Sequence, residues 1–153
     1  MRSLPSPVKP LYDIMTHGEF TKHVALTSSS PLLSPMTELI LVYLPSDISP
    51  DKKTVTATQL QQFVYNGIGE SFDVESVSYG WGVENDFPVK GGDAEQKGSI
   101  LMALIGWSGV DAHKKFRETE ASRDVLDSIG GMEGMVKLAT LCVRCRSLES
   151  KVE

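Results

Sequence analysis

Cysteine is scarce in this sequence, with 2 residues in a chain of 153. A small secreted domain held together by disulfides would carry several pairs, so a disulfide framework is excluded. The two cysteines form Cys142-Val143-Arg144-Cys145, but a redox pair needs a helix N-terminus and a structural zinc site needs a second pair of ligands. The motif lies in a predicted strand, where residues three apart point to opposite faces. We therefore interpret both as ordinary thiols and expect a reducing, cytoplasmic location.

Positive charge and long apolar runs are also lacking. The chain has 15 Lys and Arg against 20 Asp and Glu, a net charge of -5, and no basic cluster is interleaved with aromatics as a phosphate-binding groove requires. No apolar run approaches the roughly 18 residues that span a bilayer. The opening residues Met1-Arg2-Ser3-Leu4-Pro5 are not followed by an apolar signal segment. We expect neither nucleic acid nor a membrane as a partner.

Motifs for nucleotide cofactors and metals are missing as well. Gly67 and Gly69 follow a predicted helix and lack the third glycine and the preceding strand of a phosphate-binding loop. The 3 histidines show neither His-x-His nor His-Glu-x-x-His spacing, which argues against a dedicated metal site. We expect the protein to work without a cofactor and without a metal ion.

Apolar residues, in contrast, are sufficient for one ordinary core, at 41% of the chain. Residues 1–34 are rich in Pro and Ser and form an N-terminal arm, in which Phe20–Leu26 is the one strand-like piece. The main domain is predicted over residues 35–147, and residues 148–153 form a short tail.

Hydrophobic periodicity orders the domain as β-α-β-β-α-β, the ferredoxin-like α+β arrangement with both helices on one face of a four-stranded antiparallel sheet. The predicted strands are Thr37–Leu44, Val74–Gly82, Ile100–Trp107 and Met135–Arg144. The first predicted helix runs from Pro50, after the N-cap Ser49, to about Asn66; the second is capped by Ser108 and runs to about Ile129, with a break near Thr119.

The third of these strands, Ile100–Trp107, is apolar at both alternating sets of positions. Such a strand is covered on both sides. Helices cover only one face of this sheet, and a bare apolar face of several hundred square ångströms is unusual on a monomer. We expect a second copy of the sheet to cover the other face, which makes the protein a homodimer.

One stretch resembles a known family. Residues Leu104–Phe116 read as a strand ending in Gly-Trp, a capped turn, and a helix that opens Val-x-Ala-His-x-x-Phe. This pattern is similar to the dimeric α+β barrel superfamily, in particular to fungal proteins similar to antibiotic-biosynthesis monooxygenase (ABM) domains. The resemblance covers about residues 36–146, and Phe20–Leu26 resembles the last strand of a preceding repeat.

The resemblance implies a barrel of two sheets packed face to face across a dimer, with a ligand cavity between sheet and helices in each subunit. It also implies a cofactor-independent enzyme of fungal secondary metabolism that acts on an apolar or aromatic small molecule by cyclisation, isomerisation or cofactor-free oxidation. Fold alone does not choose among these reactions. The alternative is a non-catalytic dimeric small-molecule-binding or stress-related protein.

His113 is the first candidate catalytic residue. On a helix that starts at Val110, it falls between Val110 and Phe116 on the arc that faces the sheet, where an imidazole could act as general acid or base. The alternative is a structural histidine that stabilises the turn. Two further catalytic candidates are Tyr79 and, if the arm folds back, His23.

Aromatic side chains could line the substrate cavity or could simply be core and dimer packing. The substrate-binding candidates are Tyr43, Phe63, Trp81, Trp107 and Phe116. An enclosed cavity that touches His113 and Tyr79 would favour the enzyme, and a filled core the binding protein. The charged run around Lys114, Lys115 and Arg117 is interpreted as a solvated helix face.

Overall fold

Six antiparallel strands and three α-helices make up the computed structural model, which describes residues 21–68, 71–93 and 95–145. The strands are β1 (Val24–Leu26), β2 (Met36–Leu44), β3 (Val74–Gly82), β4 (Phe87–Pro88), β5 (Lys97–Trp107) and β6 (Lys137–Val143); the helices are α1 (Pro50–Gly67), α2 (Val110–Arg117) and α3 (Glu120–Gly130). The sheet order is β1-β3-β5-β2-β6, with β4 paired to β5. The four long strands therefore have the ferredoxin-like order, which confirms the predicted fold class.

Local sequence explains most helix ends. Ser49 accepts a hydrogen bond from the backbone N–H of Lys52, and Pro50 occupies the first turn, as the sequence predicts for α1. Thr119 accepts a hydrogen bond from the N–H of Ser122, so it caps a new helix and produces the expected break. The predicted cap at Ser108 is wrong, because α2 starts after Gly109 with no side-chain cap.

One face of the sheet carries all three helices. Alternate residues of β2 and β5 on this face join side chains of α1 and α3 in the main core, among them Ile40, Leu60, Ile105 and Ile129. The opposite face has a smaller cluster that contains Leu41, Tyr43, Phe87, Val89 and Ile100. The strands thus have apolar residues on both faces, as the composition of β5 predicted.

Residues 24–34 of the predicted arm are part of the folded domain. β1 pairs with β3, and a short 3-10 helix (Ser30–Leu33) packs on β5 and β3. The Thr37 hydroxyl donates to the carbonyl of Pro31 over 2.6 Å. A Cβ at Gly106 would lie 2.3 Å from Ser34 Oγ and 3.1 Å from Pro31 Cα, so glycine allows this close approach. The first predicted arm residues, 1–20, lie outside the described part of the chain.

An apolar strip remains between the 3-10 helix and β4. Its partly exposed side chains are Val24, Leu39, Met102, Ala139 and Leu141. Since β6 is also an edge strand, the strip reaches the free edge of the sheet. No helix within the described ranges is long and apolar enough to cross a bilayer.

We expect this strip to be the dimer contact, so light scattering at micromolar concentration should give twice the chain mass. Leu141→Lys should shift the protein to monomer, because a charge would be buried in an apolar contact. Val83→Lys is the matched control, since Val83 is exposed and outside the strip. A wild-type monomer, or a dimer that survives Leu141→Lys, would contradict the assignment.

Candidate functional site

A buried carboxylate lies at the centre of the most polar cluster inside the domain. Glu38 belongs to β2, faces the helices and is 2% exposed. Its Oε2 lies 2.8 Å from Nε2 of His113 and 2.8 Å from Nη2 of Arg117. A buried charge is tolerated only when it is paired in this way. The cluster therefore joins α2 to the centre of the sheet.

His113 is held from several sides. It is 8% exposed, which confirms that this residue faces the sheet. The edge of its ring meets Trp107 with 5.4 Å between centroids, and Phe116 lies against the same indole at 5.2 Å. These contacts restrict the ring to one orientation.

The hydrogen bonds of His113 determine where its proton lies. Nε2 faces the Glu38 carboxylate, which can only accept, so Nε2 carries the hydrogen. Arg117 Nε lies 3.4 Å from the same nitrogen, but a nitrogen that donates to Glu38 cannot accept this contact as well. In the neutral imidazole Nδ1 is then the acceptor, and within the described residues its polar partner is the Cys142 thiol at 4.0 Å.

Cys142 completes the cluster from the neighbouring strand. It lies opposite Glu38 in the β2–β6 register, and its Sγ is 3.9 Å from Nε2 of His113. Burial, followed by the charge of Glu38, raises the pKa of the thiol, while Arg117 acts in the other direction. Cys142 remains solvent-accessible, so the cluster can be approached from the β6 edge.

Trp107 adds an unusual feature beside His113. Its side chain is fully buried, yet its indole N–H has no hydrogen-bond partner. Unpaired buried donors are rare and costly in native proteins. This donor could hold a water molecule or a polar atom of a ligand next to the imidazole.

Other predicted site residues lie on the helix-side face but further away. Tyr79 is two strands from Glu38, about 10 Å across the sheet. Burial raises its pKa, so the phenol is a hydrogen-bond donor at neutral pH. Lys53 lies 5.2 Å over the ring of Trp81. Phe63, in α1, packs partly buried against the main core.

Two further predicted residues, Tyr43 and His23, also lie away from this cluster. Tyr43 is buried in the smaller cluster on the opposite face of the sheet. His23 lies beside β1, where its Nδ1 is 2.6 Å from Glu84 and its side chain is 67% exposed. Its neighbour Val24 pairs with Gly82, at one end of β3. Val74, at the other end of β3, pairs with Trp107. His23 therefore lies at the end of β3 that is far from Trp107.

Neither of two surface clefts is lined by His113 or Tyr79. One, of about 510 Å³, lies at the other end of the sheet between α1 and the turn before β6, and its apolar lining includes Leu44, Ile48 and Val55. The second, about 560 Å³ and widely open, lies at the start of α2. The space beside His113 is instead occupied by Trp107 and Phe116.

Sequence reasoning missed Glu38, Arg117 and Cys142. The interpretation of Arg117 as part of a solvated face is wrong, because its guanidinium reaches the buried Glu38. A signal existed, since Glu38 is the one charged residue in the otherwise apolar strand β2. An isolated acid in a buried strand requires a cationic partner.

Comparison with known proteins gives only distant structural likenesses. No protein-family model and no curated protein matches the chain. A dimeric ferredoxin-like protein of unknown function from Thermobifida fusca is 12% identical, with a TM-score of 0.45 over 73% of this chain and 92% of that one. SnoaB, a cofactor-independent oxygenase from Streptomyces nogalater, is 7% identical, with a TM-score of 0.44 over 75% and 97%.

A hydroxynitrile lyase from Passiflora edulis is also similar, at 11% identity and a TM-score of 0.45, covering 75% of this chain and 97% of that chain. Identities this low do not transfer an activity or an assembly. The strand order and the helices on one face define the present chain as a ferredoxin-like α+β protein, and its chemistry must be argued from its own residues.

The buried ion cluster should contribute strongly to stability. Glu38→Ala leaves His113 and Arg117 without their shared partner and should lower the free energy of unfolding by about 3 kcal/mol, the scale for breaking a buried pair. Urea denaturation measures this loss. Arg123→Ala, an exposed arginine on α3, is the control and should change stability by less than about 0.5 kcal/mol. Equal urea midpoints for the two variants would show that the ion cluster does not stabilise the fold.

The contact between His23 and Glu84 makes a separate prediction about pH. Hydrogen bonds from His23 lower the pKa of Glu84 from 4.5 to about 2. Because the pKa of Glu84 is lower in the folded state than in the unfolded state, the contact stabilises the fold above pH 4.5. This stabilisation is lost as the pH falls toward 2. The loss should be small because the pair is exposed. An NMR titration should find the Glu84 carboxyl at this low value, and His23→Ala should raise it; an unchanged value would contradict the contact.

Proposed function

We propose that this protein is a cofactor-independent enzyme that transfers a proton on an apolar or aromatic small molecule, with His113 as the catalytic base. The reaction is a cyclisation, an isomerisation or a cofactor-free oxidation of the kind found in fungal secondary metabolism. One observation carries the proposal. A buried carboxylate 2.8 Å from Nε2 holds the imidazole so that, in its neutral form, Nδ1 is the acceptor and lies 4.0 Å from the accessible Cys142 thiol.

Glu38 supports this role electrostatically. When Nδ1 takes a proton, the imidazole becomes a cation, and the carboxylate at Oε2 stabilises that charge. Arg117 binds the same oxygen and holds the carboxylate in place beside the imidazole. Glu38 is therefore a positioning residue, while His113 touches the reacting atoms.

The substrate would approach from the β6 edge, where Cys142 is exposed beside the imidazole. The unpaired indole N–H of Trp107 would donate to the carbonyl or phenol oxygen of the substrate and stabilise the negative charge formed there. The resulting carbanion or phenolate could attack an internal carbonyl in a cyclisation. In the oxidation it would give electrons to dioxygen, which needs no cofactor because the substrate is the reductant.

Four of the aromatic residues predicted from the sequence contribute to this proposal. Trp107 and Phe116 contact each other beside the imidazole and would form the apolar wall. Tyr79 and Trp81 would extend that wall along the helix-side face of β3. Tyr43 and His23, on the other face and at the far end of the sheet, have no part in it.

A specific observation favours a second candidate function. Trp107 is fully buried and fills the space beside His113, and neither surface cleft touches the imidazole. A filled interior favours a non-catalytic dimeric small-molecule-binding or stress-related protein in which His113 is structural. Its ligand would then occupy the cleft beside Leu44, Ile48 and Val55.

His113→Gln separates the two functions. The Gln amide can still donate to Glu38, so the fold and melting temperature should be kept, but it cannot accept a proton. With a panel of flat polycyclic phenols and ketones in aerobic D2O, deuterium incorporation and product formation are followed by NMR. The variant should lose about a hundredfold in turnover, the scale for a lost general base.

Lys114→Ala, an exposed neighbour on the same helix, is the control and should keep full activity. Full turnover by His113→Gln would contradict the catalytic role. Compounds that bind the wild type without any turnover would favour the binding protein.

A further inference from the structure

Three side chains of different metal-ligand types converge in the described part of the chain. Glu38 from β2, His113 from α2 and Cys142 from β6 place one ligand atom each within 4.8 Å of one another. The three residues are far apart in the sequence, so no spacing motif predicts the group. Carboxylate, imidazole and thiolate are the three ligand types that Zn²⁺ accepts.

We propose that Glu38, His113 and Cys142 form a binding site for a thiophilic divalent cation of the zinc class, with the fourth coordination position open. The site needs only these three side chains, so it does not depend on the catalytic role of His113. The ligand atoms are a carboxylate oxygen of Glu38, Nε2 of His113 and Sγ of Cys142. The ion would replace the hydrogen that Nε2 donates to Glu38, and the neutral imidazole would then carry its hydrogen on Nδ1.

The observed distances are close to those of a tetrahedral site. With Zn–S of about 2.3 Å and Zn–N and Zn–O of about 2.0 Å, tetrahedral geometry separates S from N by about 3.6 Å and N from O by about 3.3 Å. The Sγ–Nε2 distance is 3.9 Å and the Nε2–Oε2 distance is 2.8 Å. Shifts of about half an ångström or less would correct these two pairs. The third pair, Sγ and the Glu38 oxygen, lies within 4.8 Å, so side-chain torsions would bring the three ligand atoms around the ion.

The charges around the site are also compatible with a dication. Glu38 and the Cys142 thiolate supply two negative charges, and Arg117 supplies one positive charge. The guanidinium opposes the ion, but it also holds the Glu38 carboxylate in place, as hydrogen-bonded partners commonly do for metal ligands. Nine-tenths of the His113 side chain is buried, so water competes weakly for its nitrogen.

The ligand set selects the class of ion. A thiolate and an imidazole favour zinc and cobalt over magnesium and calcium, which prefer sets of oxygen ligands. Access is through Cys142, because Glu38 and His113 are buried behind it. With three protein ligands, the fourth position remains for water or a ligand atom.

Cys145 provides a matched control. It is also exposed and lies three residues after Cys142, but it belongs to no three-ligand group among the described residues. A cation held loosely by the two thiols would need both cysteines. A cation held by the proposed site needs Cys142 alone.

The experiment is a titration of the reduced full-length protein with Co²⁺, followed by displacement with Zn²⁺. Thiolate ligation to Co²⁺ gives a near-ultraviolet charge-transfer band, and four-coordinate Co²⁺ gives intense visible bands. Both should appear with one equivalent in the wild type and in Cys145→Ser. Cys142→Ser should abolish the charge-transfer band and weaken Zn²⁺ binding at least about tenfold by calorimetry.

Thermal melting gives a second readout. Zn²⁺ should raise the melting temperature of the wild type and of Cys145→Ser, because the ion binds the folded state. It should not raise that of Cys142→Ser, whose substitution at a solvent-accessible position leaves the fold intact. His113→Gln should likewise lose the visible bands. Absence of Co²⁺ bands in the wild type, or an equal loss in Cys142→Ser and Cys145→Ser, would overturn the proposal.

Discussion

The buried charge of Glu38 constrains much of this domain. A carboxylate that is 2% exposed in an apolar strand is unfavourable unless cations reach it. Its partners come from α2, one turn apart, so the helix must lie across β2 with His113 and Arg117 facing inward. This requirement fixes how the helix after β5 lies on the sheet. The break before α3 has a local cause, the Thr119 side chain that caps the new helix.

The same pairing explains why the chemistry is concentrated at one end of the sheet. The row across the helix-side face runs from Cys142 through Glu38 to Ile105, and α2 places His113 over that row. Next to it, Trp107 leaves an indole N–H unpaired. Native interiors rarely keep such a donor without a purpose. A fixed imidazole, an unpaired donor and an accessible thiol therefore occur together, and both the proposed proton-transfer site and the proposed cation site rest on this proximity.

The second face of the sheet shows a different constraint. An apolar strand covered on both sides needs material on both faces. The helices supply one layer, and the 3-10 helix supplies part of the other, while β1 extends the sheet beside β3. The chain before the first long strand is thus part of the fold from residue 24 onward. An apolar, accessible strip remains, and it extends to the β6 edge. An exposed apolar surface of this kind is suited to the association of two copies of the chain.

The sequence by itself determined the ferredoxin-like order of elements, the start of α1 at the Ser49 cap and the inward direction of His113. These features depend on contacts within a few residues, such as alternation, helical spacing and capping. It did not reveal the partners of His113. Glu38 lies 75 positions away and Cys142 lies 29 positions away, and strand pairing decides which residues face each other across a sheet. Only the register of β2 with β5 and β6 placed these residues under one helix. Their separations in the sequence match no local motif, so no spacing rule could have found the site.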